Sequence, residues 1–217
     1  MKKLDDGNTS NDFLIAEFNA LQDRAIGFEE IKSGRINFFM IIFAATVAGL
    51  SSLSGLTVFP FIVFVCAVII FLLGVSTLRS VMSYSVAIVI LFRKAGRIRR
   101  WFVDSDKRIE KYIPFEANDD RPLIRIAPWL IGWRGGEPIL LITNATALSV
   151  ATGLAVSYLS LLWAGVSAVA VFLITWGLQV LYMSSHLNKH EILENRISTF
   201  PTIEPKLRKK SSRKNAT

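Results

Sequence analysis

The densest group of side chains suited to chemistry lies between Arg93 and Trp101, where five basic residues precede a tryptophan. Arginine presents a planar fork of N–H donors that matches phosphate oxygens, and a tryptophan ring favours the membrane interface. The pattern predicts a surface that binds anionic lipid headgroups, a phosphate-bearing ligand or a cytoplasmic protein partner. With the basic C-terminal tail included, the predicted contact residues are Arg93, Lys94, Arg97, Arg99, Arg100, Trp101, Lys209 and Lys210.

An alternative for the same cluster is a topological stop signal at a solvated helix end. The acidic residues Asp104, Asp106 and Glu110 follow closely and could neutralise the cluster internally. Nucleic acid is not expected as a partner, because aromatic residues are sparse in the cluster and no nucleic-acid-binding motif is present.

Metal and catalytic chemistry find little support in the sequence. His186 and His190 are four residues apart, and Glu191 and Glu194 follow closely. All four are residue types that can bind a metal. Two histidines make an incomplete zinc site, and a polar end to the last helix is the favoured explanation. Asp119 and Asp120, with Glu116, could attract a cation but lack the calcium-loop pattern. Since no phosphate loop, nucleophile elbow or metalloprotease motif occurs, we predict a non-enzymatic protein without cofactor or metal.

The secondary structure of the chain is indicated by two stretches without Lys, Arg, Asp or Glu, at positions 36–78 and 138–188. Each is long enough for two helices across a bilayer core about 30 Å thick, which requires roughly 20 apolar residues per helix. The sequence therefore predicts an all-α integral membrane protein with four transmembrane helices arranged as two hairpins. The single cysteine, Cys66, falls inside a predicted span, so no intrachain disulfide can form.

All 25 Lys and Arg residues lie outside the two charge-free stretches. Two hairpins place every basic segment on one side, which the positive-inside rule makes the cytoplasm. We predict a multi-pass protein of the bacterial inner membrane with both termini cytoplasmic. The predicted segments are a cytoplasmic amphipathic helix (1–35), a first hairpin (36–78), a central basic cytoplasmic segment (79–137), a second hairpin (138–185) and a basic cytoplasmic tail (186–217).

Two polar segments carry helical patterns of their own. Residues 1–11 are predicted to be disordered, whereas 12–35 is predicted as an amphipathic helix. Its apolar stripe, at spacings of four and three, comprises Leu14, Phe18, Leu21, Ala25 and Phe28. The stripe either packs on the protein's own cytoplasmic portion or forms a seam with a partner. Residues 122–136 contain Trp129 and Trp133 and are interpreted as an interfacial helix or as a cytoplasmic packing element.

Residues 80–92 are uncharged and apolar but too few to cross a bilayer. We predict that they continue the second span as one long helix to about Trp101, with a re-entrant segment as the alternative.

Polar residues inside the predicted spans indicate how the helices pack. Asn144 is the most costly to leave unpaired and should form a hydrogen bond across helices. Ser149, Gly153 and Ser157 recur every four residues, a small-residue stripe that permits close helix approach and predicts a homo-oligomer. The spans contain no Lys, Arg, Asp, Glu or His residue, which weighs against ion-coupled transport.

Two stretches, Ser33–Phe39 and Gly74–Trp101, resemble a diffuse group of uncharacterised bacterial four-helix membrane proteins. The residues that carry the resemblance are Arg35, Asn37, Arg97, Ile98, Arg99, Arg100 and Trp101. An N-terminal helix followed by two spans is also similar to small membrane effectors of bacterial defence systems. The resemblance implies a four-helix membrane protein and no established activity. We expect an oligomeric membrane effector or scaffold whose basic face binds a partner or headgroups; the alternative is a small transporter or a lipid-modifying enzyme.

Overall fold

A computed structural model of the chain describes residues 6–53, 55, 57–115, 117–124, 136–157 and 160–199. The described elements are α1 (Asp6–Ser52), α2 (Phe59–Ser105), a 3-10 helix (Lys107–Tyr112), α3 (Glu137–Ser157) and α4 (Leu161–Ile197). All four α-helices are long and apolar enough to cross a membrane. The predicted all-α class with four such helices is therefore confirmed, while the hairpin arrangement and the location of the termini stay predictions.

Helix α1 begins earlier than the sequence predicts. Residues Asp6–Asn11 belong to it, so the prediction of disorder is wrong for them; positions 1–5 lie outside the described residues. Once a helix exists, adding a residue requires no new nucleation, and this cooperativity lets polar residues extend it. The helix also passes through Gly34 without a break, which joins the amphipathic segment to the first apolar stretch in one element.

Helix α2 runs for 47 residues without interruption and includes all of 80–92. The prediction of one long helix is confirmed, and the re-entrant alternative is wrong. Pro60 lies in its first turn, where a missing N–H leaves no intrahelical bond unmade. Val81 and Met82 are 0% and 2% exposed, so the apolar side chains beyond the second predicted span are covered by neighbours.

The chain forms two compact units, and three of the four divisions between them fall inside helices. We define the charged unit as the described parts of Met1–Phe28, Val86–Ile124 and Asn188–Thr217, and the membrane unit as those of Glu29–Ser85 and Arg125–Leu187. The divisions after residues 28, 85, 124 and 187 differ by 2 to 13 residues from the predicted segment borders at 35, 78, 137 and 185. Packing defines the units, whereas charge defined the predicted segments.

The apolar core of the charged unit is formed by α1 against the C-terminal half of α2. Its buried members are Leu21, Ala25, Leu91, Ala95 and Ile98, with Leu14, Phe18, Phe28, Phe92 and Phe102 packed against them. All five residues of the predicted amphipathic stripe are in this cluster. The stripe thus packs on the protein itself.

Polar contacts join the helices of the membrane unit. Asn144 is fully buried, and its Nδ2 donates to Oε1 of Gln179 at 3.4 Å, from α3 to α4. Gly74 of α2 makes room for this amide, since a Cβ at that position would overlap the Asn144 side chain. At the N-terminal border of the charge-free stretch of α1, Nη1 of Arg35 donates to Oγ of Ser80 on α2 at 3.1 Å.

The small-residue stripe of α3 faces α4 of the same chain. Oγ of Ser149 donates to the carbonyl of Ala168 at 2.8 Å, and a Cβ at Gly153 would contact the Cβ of Ala168 at 3.3 Å. Ser157 donates to Leu154 within α3. The close approach that the spacing predicts is therefore used within the subunit at Ser149 and Gly153, and the predicted homo-oligomer loses its first candidate surface.

Candidate functional site in the charged unit

A buried arginine on α2 is the centre of the charged unit. The Arg93 side chain is 4% exposed, and its Nη2 lies 2.8 Å from Oε2 of Glu191 on α4. Nη1 donates to Oδ1 of Asn195 at 3.2 Å, and Nε donates to the carbonyl of Pro122 at 3.0 Å. One guanidinium therefore joins α2, α4 and the loop after the 3-10 helix.

The carboxylate of Glu191 is equally well satisfied. Besides Arg93, its Oε2 accepts from the backbone N–H of Ile124 at 2.6 Å, and its Oε1 accepts from Nδ2 of Asn195 at 2.9 Å. Burying two charges is favourable only when such additional hydrogen bonds replace the lost water. The sequence offers Glu191 as a candidate metal ligand, whereas the structure places it in an ion pair with Arg93.

A second arginine one turn later on α2 holds the end of α4. Nε of Arg97 lies 2.8 Å from Oδ2 of Asp119, which is buried and also accepts from the backbone N–H of Thr199 at 2.6 Å. Nη2 of Arg97 donates to the carbonyl of Ile197, the last residue of α4, at 3.3 Å. A cation at a helix C-terminus is also favoured by the helix dipole. We call the contacts of Arg93 and Arg97 together the arginine clamp.

Asp104 and Asp106, which follow the basic cluster, bind arginines other than Arg93 and Arg97. Asp104 pairs with Arg100 at 3.0 Å on the surface of α2. Asp106 caps the 3-10 helix and accepts from both the side chain and the backbone of Arg108, which lowers the pKa of Asp106 below its usual value. Local neutralisation therefore applies to Arg100, whereas the carboxylates that pair with Arg93 and Arg97 are distant in sequence.

A third arginine of the cluster, Arg99, lines an open pocket of about 540 Å³ within the charged unit. Its Cζ lies 5.0 Å from the ring centroid of Phe115 and 5.4 Å from that of Phe18. Burial lowers the pKa of the Arg99 guanidinium, because desolvation disfavours its charged form. The lining residues are Phe92, Arg99, Pro114, Phe115, Arg121, Pro122 and Leu123.

The structure thus divides the predicted contact residues. Arg93 and Arg97 take part in the clamp, Arg99 lines the pocket, and Arg100 is bonded to Asp104. Lys94 and Trp101 are exposed, and Lys209 and Lys210 lie outside the described residues. Lys94, Arg100 and Trp101, together with Arg99 in its open pocket, therefore remain the accessible candidates on α2 for headgroup or partner contact.

Sequence reasoning missed the contribution of the loop after the 3-10 helix. Phe115 is 64% exposed, and it lines the pocket together with Arg121 and Arg99. A signal was present, because an aromatic residue follows Pro114 within the basic central segment. Of the described residues, no three His, Cys, Asp or Glu form a group that could hold a metal ion.

The chain has no match among protein-family models, curated proteins or solved structures. Its resemblance to bacterial four-helix membrane proteins accordingly stays a prediction.

Proposed function

We propose that the protein is a membrane-embedded scaffold or effector of the bacterial inner membrane whose basic cytoplasmic face binds anionic lipid headgroups or an acidic protein partner. One observation supports this proposal above the others. The basic cluster is divided between arginines that hold the charged unit together and basic side chains that stay accessible on the same helix, namely Lys94, Arg99 and Arg100.

This division suits a binding surface. Arg93 and Arg97 are occupied by Glu191 and Asp119, which fixes the backbone from which the accessible residues project. A preformed surface loses less conformational entropy when it binds. Basic residues near an anionic leaflet contribute about 1 kcal/mol each, and exposed aromatic rings such as Trp101 favour the interface.

The proposal places this face in the cytoplasm, because the positive-inside rule applies to all of its basic segments together. Self-association stays part of the proposal, but the described contacts of Ser149 and Gly153 are with α4 of the same subunit. Other helix surfaces must therefore carry it. Val169 and Leu173 of α4 are 61% and 58% exposed and are among the apolar side chains available for that contact.

We expect the basic tail to lie on anionic headgroups at low salt. In a chain with Cys66→Ser and Ser212→Cys, a water-soluble maleimide should label the cysteine at position 212 more slowly in nanodiscs of phosphatidylglycerol than in nanodiscs of phosphatidylcholine. The difference should vanish as salt rises, since exposed charges are screened beyond roughly 8–10 Å.

The matched control carries Lys209→Gln and Lys210→Gln in the same background. It should lose most of the lipid dependence while its labelling rate in phosphatidylcholine stays unchanged. Equal labelling of the parent chain in both lipids at low salt would contradict headgroup binding by the tail.

A further inference from the structure

The pocket around Arg99 combines charge with apolar walls in a way that the arginine clamp does not. In the clamp, each guanidinium is matched by a buried carboxylate. Arg99 instead contacts the faces of Phe18 and Phe115, and it has no ion pair with a carboxylate among the described residues. A partly desolvated cation held by aromatic rings retains most of its capacity to bind an anion.

The pocket has the size and composition of a small-molecule site. Its volume of about 540 Å³ falls in the range of roughly 300–1,000 Å³ that is typical of ligand pockets. Two guanidinium-bearing residues, Arg99 and Arg121, share its lining with Phe92, Phe115 and Leu123. A small number of polar groups among apolar walls can orient a ligand that has one charged end and one apolar end.

We propose that this pocket binds a phosphate monoester or diester carrying an apolar group, with Arg99 and Arg121 on the phosphate oxygens and the apolar group against Phe92, Phe115 and Leu123. A guanidinium binds phosphate with two parallel hydrogen bonds, which a lysine cannot reproduce. The inference deepens the proposed function, since it gives the basic face a defined ligand class. The phosphate ester has two sources, a soluble cytoplasmic molecule or the headgroup region of an anionic phospholipid.

The test uses the full chain in phosphatidylcholine nanodiscs and phenyl phosphate as the probe, with binding followed by titration calorimetry. We expect saturable binding that Arg99→Gln weakens by about 10- to 100-fold, the usual effect of removing a charged hydrogen-bond donor. Arg99→Lys should weaken it less, because the charge remains while the paired donors are lost. Phenol, which lacks the phosphate, should not compete.

Arg108→Gln is the matched control. Arg108 is absent from the pocket lining, its side chain is 87% exposed and it is bonded to Asp106 on the surface, so its loss should change the affinity by less than about twofold. Thermal unfolding followed by circular dichroism establishes that each variant is folded. Absence of saturable binding, or equal weakening by Arg99→Gln and Arg108→Gln, would overturn the inference.

A second arm distinguishes the two sources. If the natural ligand is a headgroup, phosphatidylglycerol nanodiscs should reduce the affinity for phenyl phosphate in the parent chain, because lipid already occupies the pocket. If the ligand is soluble, the affinity should be the same in both lipids once salt screens the negative surface of phosphatidylglycerol, which otherwise repels the anionic probe. The lipid dependence of labelling at position 212 does not involve Arg99. If phenyl phosphate does not bind but this labelling still depends on the lipid, the pocket inference is wrong and the proposed function stands. If the labelling does not depend on the lipid, headgroup binding by the tail is wrong.

Discussion

Replacement of Arg93 by methionine should destabilise the charged unit by about 3–5 kcal/mol, the usual cost of leaving one member of a buried ion pair alone. The substitution removes three hydrogen bonds and leaves the buried carboxylate of Glu191 without its cation. The end of α4 should then open more often. Hydrogen exchange of amides in 188–199, measured in nanodiscs, should accelerate by about two to four orders of magnitude.

Arg108→Met provides the control for this prediction. Its side chain is 87% exposed and its ion pair with Asp106 lies on the surface, so exchange at the end of α4 should not change. The double substitution Arg93→Met with Glu191→Leu should recover part of the lost stability, because no unpaired charge remains buried. A double variant as unstable as the sum of the two single variants would contradict a direct pair.

Gly96→Ala should destabilise the charged unit. A Cβ at Gly96 would lie 2.6 Å from the backbone carbonyl oxygen of Asn118, too close for two non-bonded atoms. The loop cannot easily retreat, because the next residue, Asp119, is buried and bonded to Arg97 and to the Thr199 N–H. We expect a loss of about 1–3 kcal/mol from overpacking, measured by chemical denaturation of the reconstituted chain.

Gly27→Ala should instead stabilise the protein. Gly27 is also helical and belongs to the charged unit, but no atom lies within 4 Å of a Cβ built there. Replacing an unconstrained helical glycine with alanine stabilises proteins by about 0.4–1 kcal/mol, chiefly by reducing the entropy of the unfolded chain. Equal effects of the two substitutions would show that Gly96 is not in close contact with the loop.

Local patterns were sufficient to predict most of the fold. The absence of charge over 36–78 and 138–188 indicated the apolar helices, because a bilayer core excludes charged groups. The spacing of four and three from Leu14 to Phe28 indicated which face of α1 is buried, since helical periodicity fixes which side chains share a face. These features depend on residues that are near one another in the chain.

The candidate site could not be predicted in the same way. Arg93 and Glu191 are 98 residues apart, and nothing local to either one identifies the other. The same holds for Arg97 and Asp119, whose contact depends on a loop that follows the 3-10 helix. Small residues are ambiguous for a related reason: Gly153 allows close approach by any helix, and only the tertiary structure shows that α4 of the same chain is the neighbour.

Cysteine accessibility in intact bacterial cells tests the central claim, that the basic face lies in the cytoplasm, most directly. In a Cys66→Ser background, single cysteines replace Gly55, Gly165 and Arg108; Gly55 and Gly165 have open space around them, and the Arg108 side chain is exposed. A membrane-impermeant maleimide should label the variants at 55 and 165 in intact cells and the variant at 108 only after lysis. Labelling at 108 in intact cells would contradict the account.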